Sequence, residues 1–144
     1  MHLVGNIIGF QFSGIFLERI INRYVYLAAY FTTGICASVV SIVFHESVVS
    51  VGASGAIFGL FGMLLAMLIS KDRRVSLFRA PLLTSIAIYA GLNLFLGIIT
   101  PGIDLAAHVG GFAAGLIVGV IVLKSPASLK VIQPLQKAHR LTSG

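Results

Sequence analysis

The chain has 144 residues, of which 58% are hydrophobic and only 10% are charged, and its mean hydropathy is +1.04. The core of a soluble domain does not need this much apolar material, so the composition excludes an ordinary soluble protein and indicates one integral membrane domain. The net charge of +6 does not indicate nucleic-acid binding, because the basic residues lie in short connections between apolar runs. There they set the orientation in a membrane.

Five apolar runs follow one another along the chain, and each approaches the roughly 20 residues that a membrane-spanning helix needs. Lipid-facing strands would require a closed barrel, and runs of this length favour helices. The predicted fold is therefore all-α, a polytopic transmembrane helix bundle over residues 1–123 with a basic tail over residues 124–144. The predicted spans are 2–17, 24–44, 52–70, 80–99 and 105–123.

The connections between the runs alternate in charge. All ten Lys and Arg residues lie in 18–23, in 71–79 or in the tail, whereas 45–50 and 100–104 carry none. The positive-inside rule then places the three basic segments, including the C-terminus, in the cytoplasm. The first, third and fifth spans consequently begin at the outer side of the membrane.

The third run begins with VGASGAIFGLFG, residues 51–62, which sets Ser54 among glycines. Two interpretations are open. Gly55 and Gly59 form a small-residue face for close helix packing, and Ser54 is simply small enough to fit there. Alternatively, Ser54 is a nucleophile, since burying a hydroxyl in hydrocarbon without a partner costs free energy.

His108 begins the fifth run and is followed by Gly111 and Gly115 at four-residue spacing. An ionisable residue within a span is rare and usually functional, although a histidine can also cap a helix or bind a loop. If the third and fifth helices pack through their glycine faces, His108 can accept the Ser54 hydroxyl proton and return it to a leaving amine. Asp104 is expected in the loop or near the helix start, where the dipole favours an anion, so a dyad fits better than a triad.

His2 and Asn6 lie four residues apart and share one face of the first helix. They are either a hydrogen-bonded pair near the interface or donors aimed at a developing oxyanion. The backbone N–H of Ser54 would add a further donor. A zinc site from His2 and His108 is disfavoured because no third ligand clearly converges on them. No metal or other cofactor is predicted.

Three motifs resemble those of the rhomboid intramembrane serine proteases, and they occur in that family's order. They are HxxxN at His2 and Asn6, GxSG at residues 52–55, and AHxxGxxxG at residues 107–115. The resemblance implies Ser54 as nucleophile, His108 as general base, and an oxyanion hole from His2, Asn6 and the Ser54 backbone. It also implies transmembrane protein substrates. No nucleic-acid-binding motif occurs in the sequence, so no nucleic-acid partner is predicted. The short chain favours the cytoplasmic membrane of a bacterium over an organelle, which stays the alternative.

The chain also departs from the family pattern. Rhomboids have six core helices, and neither the helix before HxxxN nor the long first loop is found in this sequence. The chain therefore resembles either the C-terminal portion of a rhomboid, with five helices of six, or a rhomboid with a mis-set start. Phe58 stands where several members carry a tyrosine that stacks on the histidine. The alternative function is a non-catalytic rhomboid-like protein that binds transmembrane segments. A small transporter is disfavoured, because no charged residue lies mid-span. The oligomeric state stays open.

Overall fold

The computed structural model describes residues 2–44, 53–70, 79–100 and 103–125, and the regular secondary structure within these ranges is helical. The predicted all-α bundle is therefore confirmed. The tail predicted for residues 124–144 lies almost entirely outside the described residues and stays a prediction. The helices are α1 (His2–Ile20), α2 (Arg23–Phe44), α3 (Ser54–Ile69), α4 (Arg79–Ile99) and α5 (Leu105–Lys124).

Three of the five predicted spans are long and apolar enough to cross a membrane. These are α2, α4 and α5, with 22, 21 and 20 residues. Helix α3 is apolar but has only 16 residues, a rise of about 24 Å against a hydrocarbon core of about 30 Å. Helix α1 has 19 residues, and polar residues such as Asn6, Gln11 and Glu18 lower its mean hydropathy.

Helix α3 lies at the centre of the bundle and contacts each of the other four helices. Fourteen of its sixteen residues are buried, as expected for a helix that is apolar on every side. The surrounding helices expose large apolar side chains on their outer faces, for example Ile42 at 70%, Ile98 at 74% and Ile117 at 63%. The protein is therefore a multi-pass membrane protein in which α3 packs against protein rather than lipid.

The backbones of α3 and α5 approach each other through glycines. A Cβ atom at Gly111 would lie 2.0 Å from the carbonyl oxygen of Gly55, and one at Gly115 would lie 1.9 Å from that of Gly59. Both distances are far below van der Waals contact, and the opposing atoms are backbone. Only glycine fits at these two positions, so the N-terminal halves of α3 and α5 lie side by side.

Candidate active site

Ser54 is the first residue of α3 and follows the N-cap residue Ala53. Its side chain is largely buried, with 8% of the residue exposed. The first N–H groups of a helix have no acceptor within the helix and form its positive end. Ala53 offers no side-chain oxygen to satisfy them. The hydroxyl and the backbone N–H of Ser54 therefore lie together at a site that favours negative charge.

His108 is the fourth residue of α5 and is only 1% exposed. Its imidazole stacks on the ring of Phe58, with ring centroids 4.2 Å apart and an interplanar angle of 7°. Phe58 follows Ser54 by four residues and so lies on the same face of α3. The stack therefore sets the imidazole of His108 over the turn of α3 that begins with Ser54.

The helix backbones also approach each other closely beside Ser54 and His108. A Cβ atom at Gly55 would lie 3.4 Å from the carbonyl oxygen of Ala107 and 2.6 Å from the Cβ of Ala37 on α2. Gly55 and Ala107 are the neighbours of Ser54 and His108 in the chain. The fold thus brings the two residues proposed for a dyad to adjacent helix starts, with α2 packed behind both.

The start of α5 is held by Asp104, which is its N-cap residue. One carboxylate oxygen accepts a hydrogen bond from the backbone N–H of Ala107 at 2.8 Å, and the backbone N–H of His108 donates to the carbonyl oxygen of Asp104 at 3.2 Å. The prediction that Asp104 lies near the helix start is confirmed. An anion there is stabilised by the helix dipole.

Asn6 lies half-buried on α1 and lines a cleft between α1 and α2. The cleft has a volume of about 780 Å³ and reaches Ala53 and Ile57 at the start of α3. Asn6 therefore opens into the same space as the residue before Ser54. The side chain of His2 and residue Gly52 of the GxSG motif lie outside the described residues.

The comparison with protein families bears on this arrangement. A Rhomboid domain matches residues 1–125 of the chain. The chain belongs to the rhomboid family. Its membership agrees with the resemblance of the three motifs, which cover the same part of the sequence.

Several curated rhomboids are similar in sequence. RHOMBOID-like protein 4 of Arabidopsis thaliana is 37% identical over 126 residues, which are 88% of this chain and 32% of that protein. Rhomboid protease GluP of Bacillus subtilis (strain 168) is 34% identical over 114 residues, 79% of this chain and 22% of GluP. The putative rhomboid protease YdcA of the same strain is 28% identical, covering 85% of this chain and 61% of YdcA.

The chain spans about a third of the length of the Arabidopsis relative, 32% of it. No solved structure matches the chain significantly.

Two residues of this rhomboid were not singled out from the sequence. Tyr89 of α4 stacks on Phe61, with centroids 4.4 Å apart, and its hydroxyl donates to the carbonyl oxygen of Gly5 on α1 at 3.4 Å. Its ring also lies beside that of Phe58, tilted by 48° with centroids 5.9 Å apart, on which His108 stacks. Its one sequence signal is that it is the only tyrosine in its run. Ser41, on α2, donates a hydrogen bond to Asp104, and its sequence signal is its four-residue spacing from Ala37 and Thr33.

Proposed function

We propose that this rhomboid is an intramembrane serine endopeptidase that uses a Ser54–His108 dyad to cleave transmembrane segments of other proteins. The observation that carries the proposal is the stack of His108 on Phe58, one helical turn from Ser54. Membership of the rhomboid family supports it, as do the relatives that are named proteases. The activity, the substrates and the roles of the residues belong to this proposal.

The chemistry follows from the two side chains. Neutral His108 takes the proton of the Ser54 hydroxyl as Oγ attacks the carbonyl carbon of the scissile peptide bond. When the C–N bond breaks, the imidazolium returns that proton to the leaving amine and an acyl-serine remains. Water then attacks the ester, His108 accepts its proton, and the acid product leaves as Ser54 is reprotonated. The stack on Phe58 keeps the imidazole plane in one orientation through both proton transfers.

The tetrahedral intermediate carries a negative charge on oxygen that donors must stabilise. The N–H of Ser54 at the positive end of α3 supplies one such donor. The amide of Asn6, in the cleft that reaches Ala53, is proposed as a second. His2 completes the proposed set, although its side chain lies outside the described residues.

The proposal also includes an orientation. All ten Lys and Arg residues occur in segments predicted to lie on one side of the membrane, so the proposal places the protein in the cytoplasmic membrane with its C-terminus in the cytoplasm. A tag fused after Gly144 is expected to resist a protease added to intact cells and to be digested only after the membrane is permeabilised. Digestion of the tag in intact cells would contradict this orientation.

A serine-directed fluorophosphonate tests the nucleophile directly. The full-length protein in detergent is expected to be labelled, with the label on Ser54 in a peptide map. Ser54→Ala should abolish labelling, and His108→Ala should reduce it by about 10²–10⁴-fold, the usual contribution of a general base. The reason is that a hydroxyl reacts with the probe only when a base removes its proton.

Ser38→Ala is the matched control, because Ser38 is exposed on α2 and its hydroxyl bonds within its own helix to Gly34. It should label like the wild type. A folded protein that is not labelled at Ser54 would overturn the dyad. That result would favour the alternative, a rhomboid-like protein that binds transmembrane segments without cleaving them.

A further inference from the structure

The carboxylate of Asp104 joins two helices. One oxygen accepts from the N–H of Ala107 on its own helix, at 2.8 Å. The other accepts a hydrogen bond from the hydroxyl of Ser41 on α2. Ser41 is 1% exposed and Asp104 is half-buried, so this bond is partly shielded from water, and its loss would leave the Ser41 hydroxyl buried without this partner.

Helix α2 backs both helices of the candidate site along the face that carries Ser41. Ala37, one turn earlier, packs against Gly55, where a Cβ atom would lie 2.6 Å from its methyl group. Val40 packs against Gly110, where a Cβ atom would lie 2.6 Å from the Val40 Cβ. These apolar contacts do not by themselves define the orientation of the first turn of α5, because dispersion forces are not directional.

The bond from Ser41 to Asp104 is directional, and it acts at the first turn of α5. Asp104 precedes His108 by four residues, and the two backbones are hydrogen-bonded. A shift of Asp104 relative to α2 is therefore transmitted through one helical turn to the imidazole. Displacements of about 1 Å at reacting groups can reduce a rate by about 10²-fold.

We propose that Ser41 and Asp104 are positioning residues: the Ser41–Asp104 hydrogen bond fixes the first turn of α5 on α2 and thereby holds His108 in place over Ser54. The inference rests on the proposed peptidase function. It assigns neither residue a contact with substrate. The two oxygens of the Asp104 carboxylate perform separate roles: one caps α5, and the other accepts the hydrogen bond that holds the first turn of α5 on α2.

Three substitutions in the full-length protein separate these roles. Ser41→Ala removes the hydrogen bond between α2 and Asp104 and leaves the N-cap of α5 intact. Asp104→Ser keeps an N-cap hydroxyl, which is as effective as Asp, but is too short to serve Ser41 as well. Asp104→Asn keeps an oxygen for the cap and an amide that can hydrogen-bond to Ser41. Ser38→Ala, on the exposed side of the same helix, is the control.

The readout is cleavage of a synthetic transmembrane segment containing Ala, Gly and Ser, reconstituted with the enzyme in liposomes. We expect Ser41→Ala and Asp104→Ser to lower kcat by about 10–100-fold while KM stays within about twofold. The double variant should have a kcat no more than about twofold below that of either single variant, since both substitutions remove the same hydrogen bond. Asp104→Asn should stay within about threefold of the wild type, and Ser38→Ala should equal it.

Thermal unfolding in detergent shows whether each variant is folded, so a kcat per folded molecule is obtained. If Ser41→Ala and Asp104→Ser kept a kcat within twofold of the wild type, the positioning role would be overturned. It would also be overturned if Asp104→Asn lowered kcat as much as Asp104→Ser. Ser54→Ala in the same assay separates the two proposals. If Ser54→Ala cleaves like the wild type, the peptidase function itself falls, and the positioning role falls with it.

Discussion

Ser54→Ala is expected to reduce cleavage of a transmembrane substrate by at least about a thousandfold, with a comparable loss for His108→Ala. The physical reason is that the hydroxyl and the imidazole act as one unit, in which neither forms the acyl-serine alone. The double substitution should therefore be no slower than either single one. The measurement is kcat for the same synthetic transmembrane segment in liposomes.

Ser70→Ala is a suitable control for this experiment. Ser70 follows the other end of α3, is exposed, and donates to the carbonyl oxygen of Met67 at 2.7 Å. Its substitution should leave the rate unchanged. Losses for Ser54→Ala and His108→Ala that multiplied in the double variant would show that the two side chains act independently, which is incompatible with a dyad.

Gly115→Ala is expected to lower the free energy of unfolding by about 3 kcal/mol, the upper part of the usual range for overpacking. The added Cβ would lie 1.9 Å from the carbonyl oxygen of Gly59 and 2.6 Å from its carbonyl carbon. Both are backbone atoms, so no side chain can rotate away, and α3 and α5 must separate. Denaturant titration in micelles, followed by circular dichroism, measures the change.

Gly91→Ala makes the same chemical change on α4, where a Cβ atom would meet nothing within 4 Å. Removing a helical glycine there should leave stability unchanged or raise it by up to about 1 kcal/mol. If Gly115→Ala were as stable as Gly91→Ala, the backbones of α3 and α5 could not be as close as described. The difference between the two variants thus measures the packing of the two helices that carry Ser54 and His108.

The helices could be predicted from the sequence because apolar runs in a membrane have few alternatives to a helix. The close approach of α3 and α5 also had a visible signal, since Gly111 and Gly115 recur every four residues beside Gly55 and Gly59. Small residues at that spacing have one common use in membranes, which is to let backbones meet. Motif order and span orientation then indicated Ser54 and His108 together.

The connections between elements far apart in sequence had no such signal. Ser41 continues a four-residue series of small residues with Ala29, Thr33 and Ala37, but this spacing indicates close helix packing and does not identify a hydrogen-bond partner. The structure separates Ser41 from Ser38, because Ser38 bonds back to Gly34 within α2 whereas Ser41 reaches Asp104, 63 residues away. Which face of a helix meets which neighbour depends on rotation about the helix axis, and a run that is apolar on every side does not encode it.

For the proposed peptidase, the shortness of α3 affects how water reaches the acyl-serine. A helix of 16 residues rises about 24 Å, so at least one of its ends stops inside a hydrocarbon layer of about 30 Å. If that end is Ser54, the acyl-serine forms below the level at which lipid headgroups are hydrated. Each turnover must then draw a water molecule down a path lined by protein, and the rate of deacylation would respond to bilayer thickness as well as to the dyad.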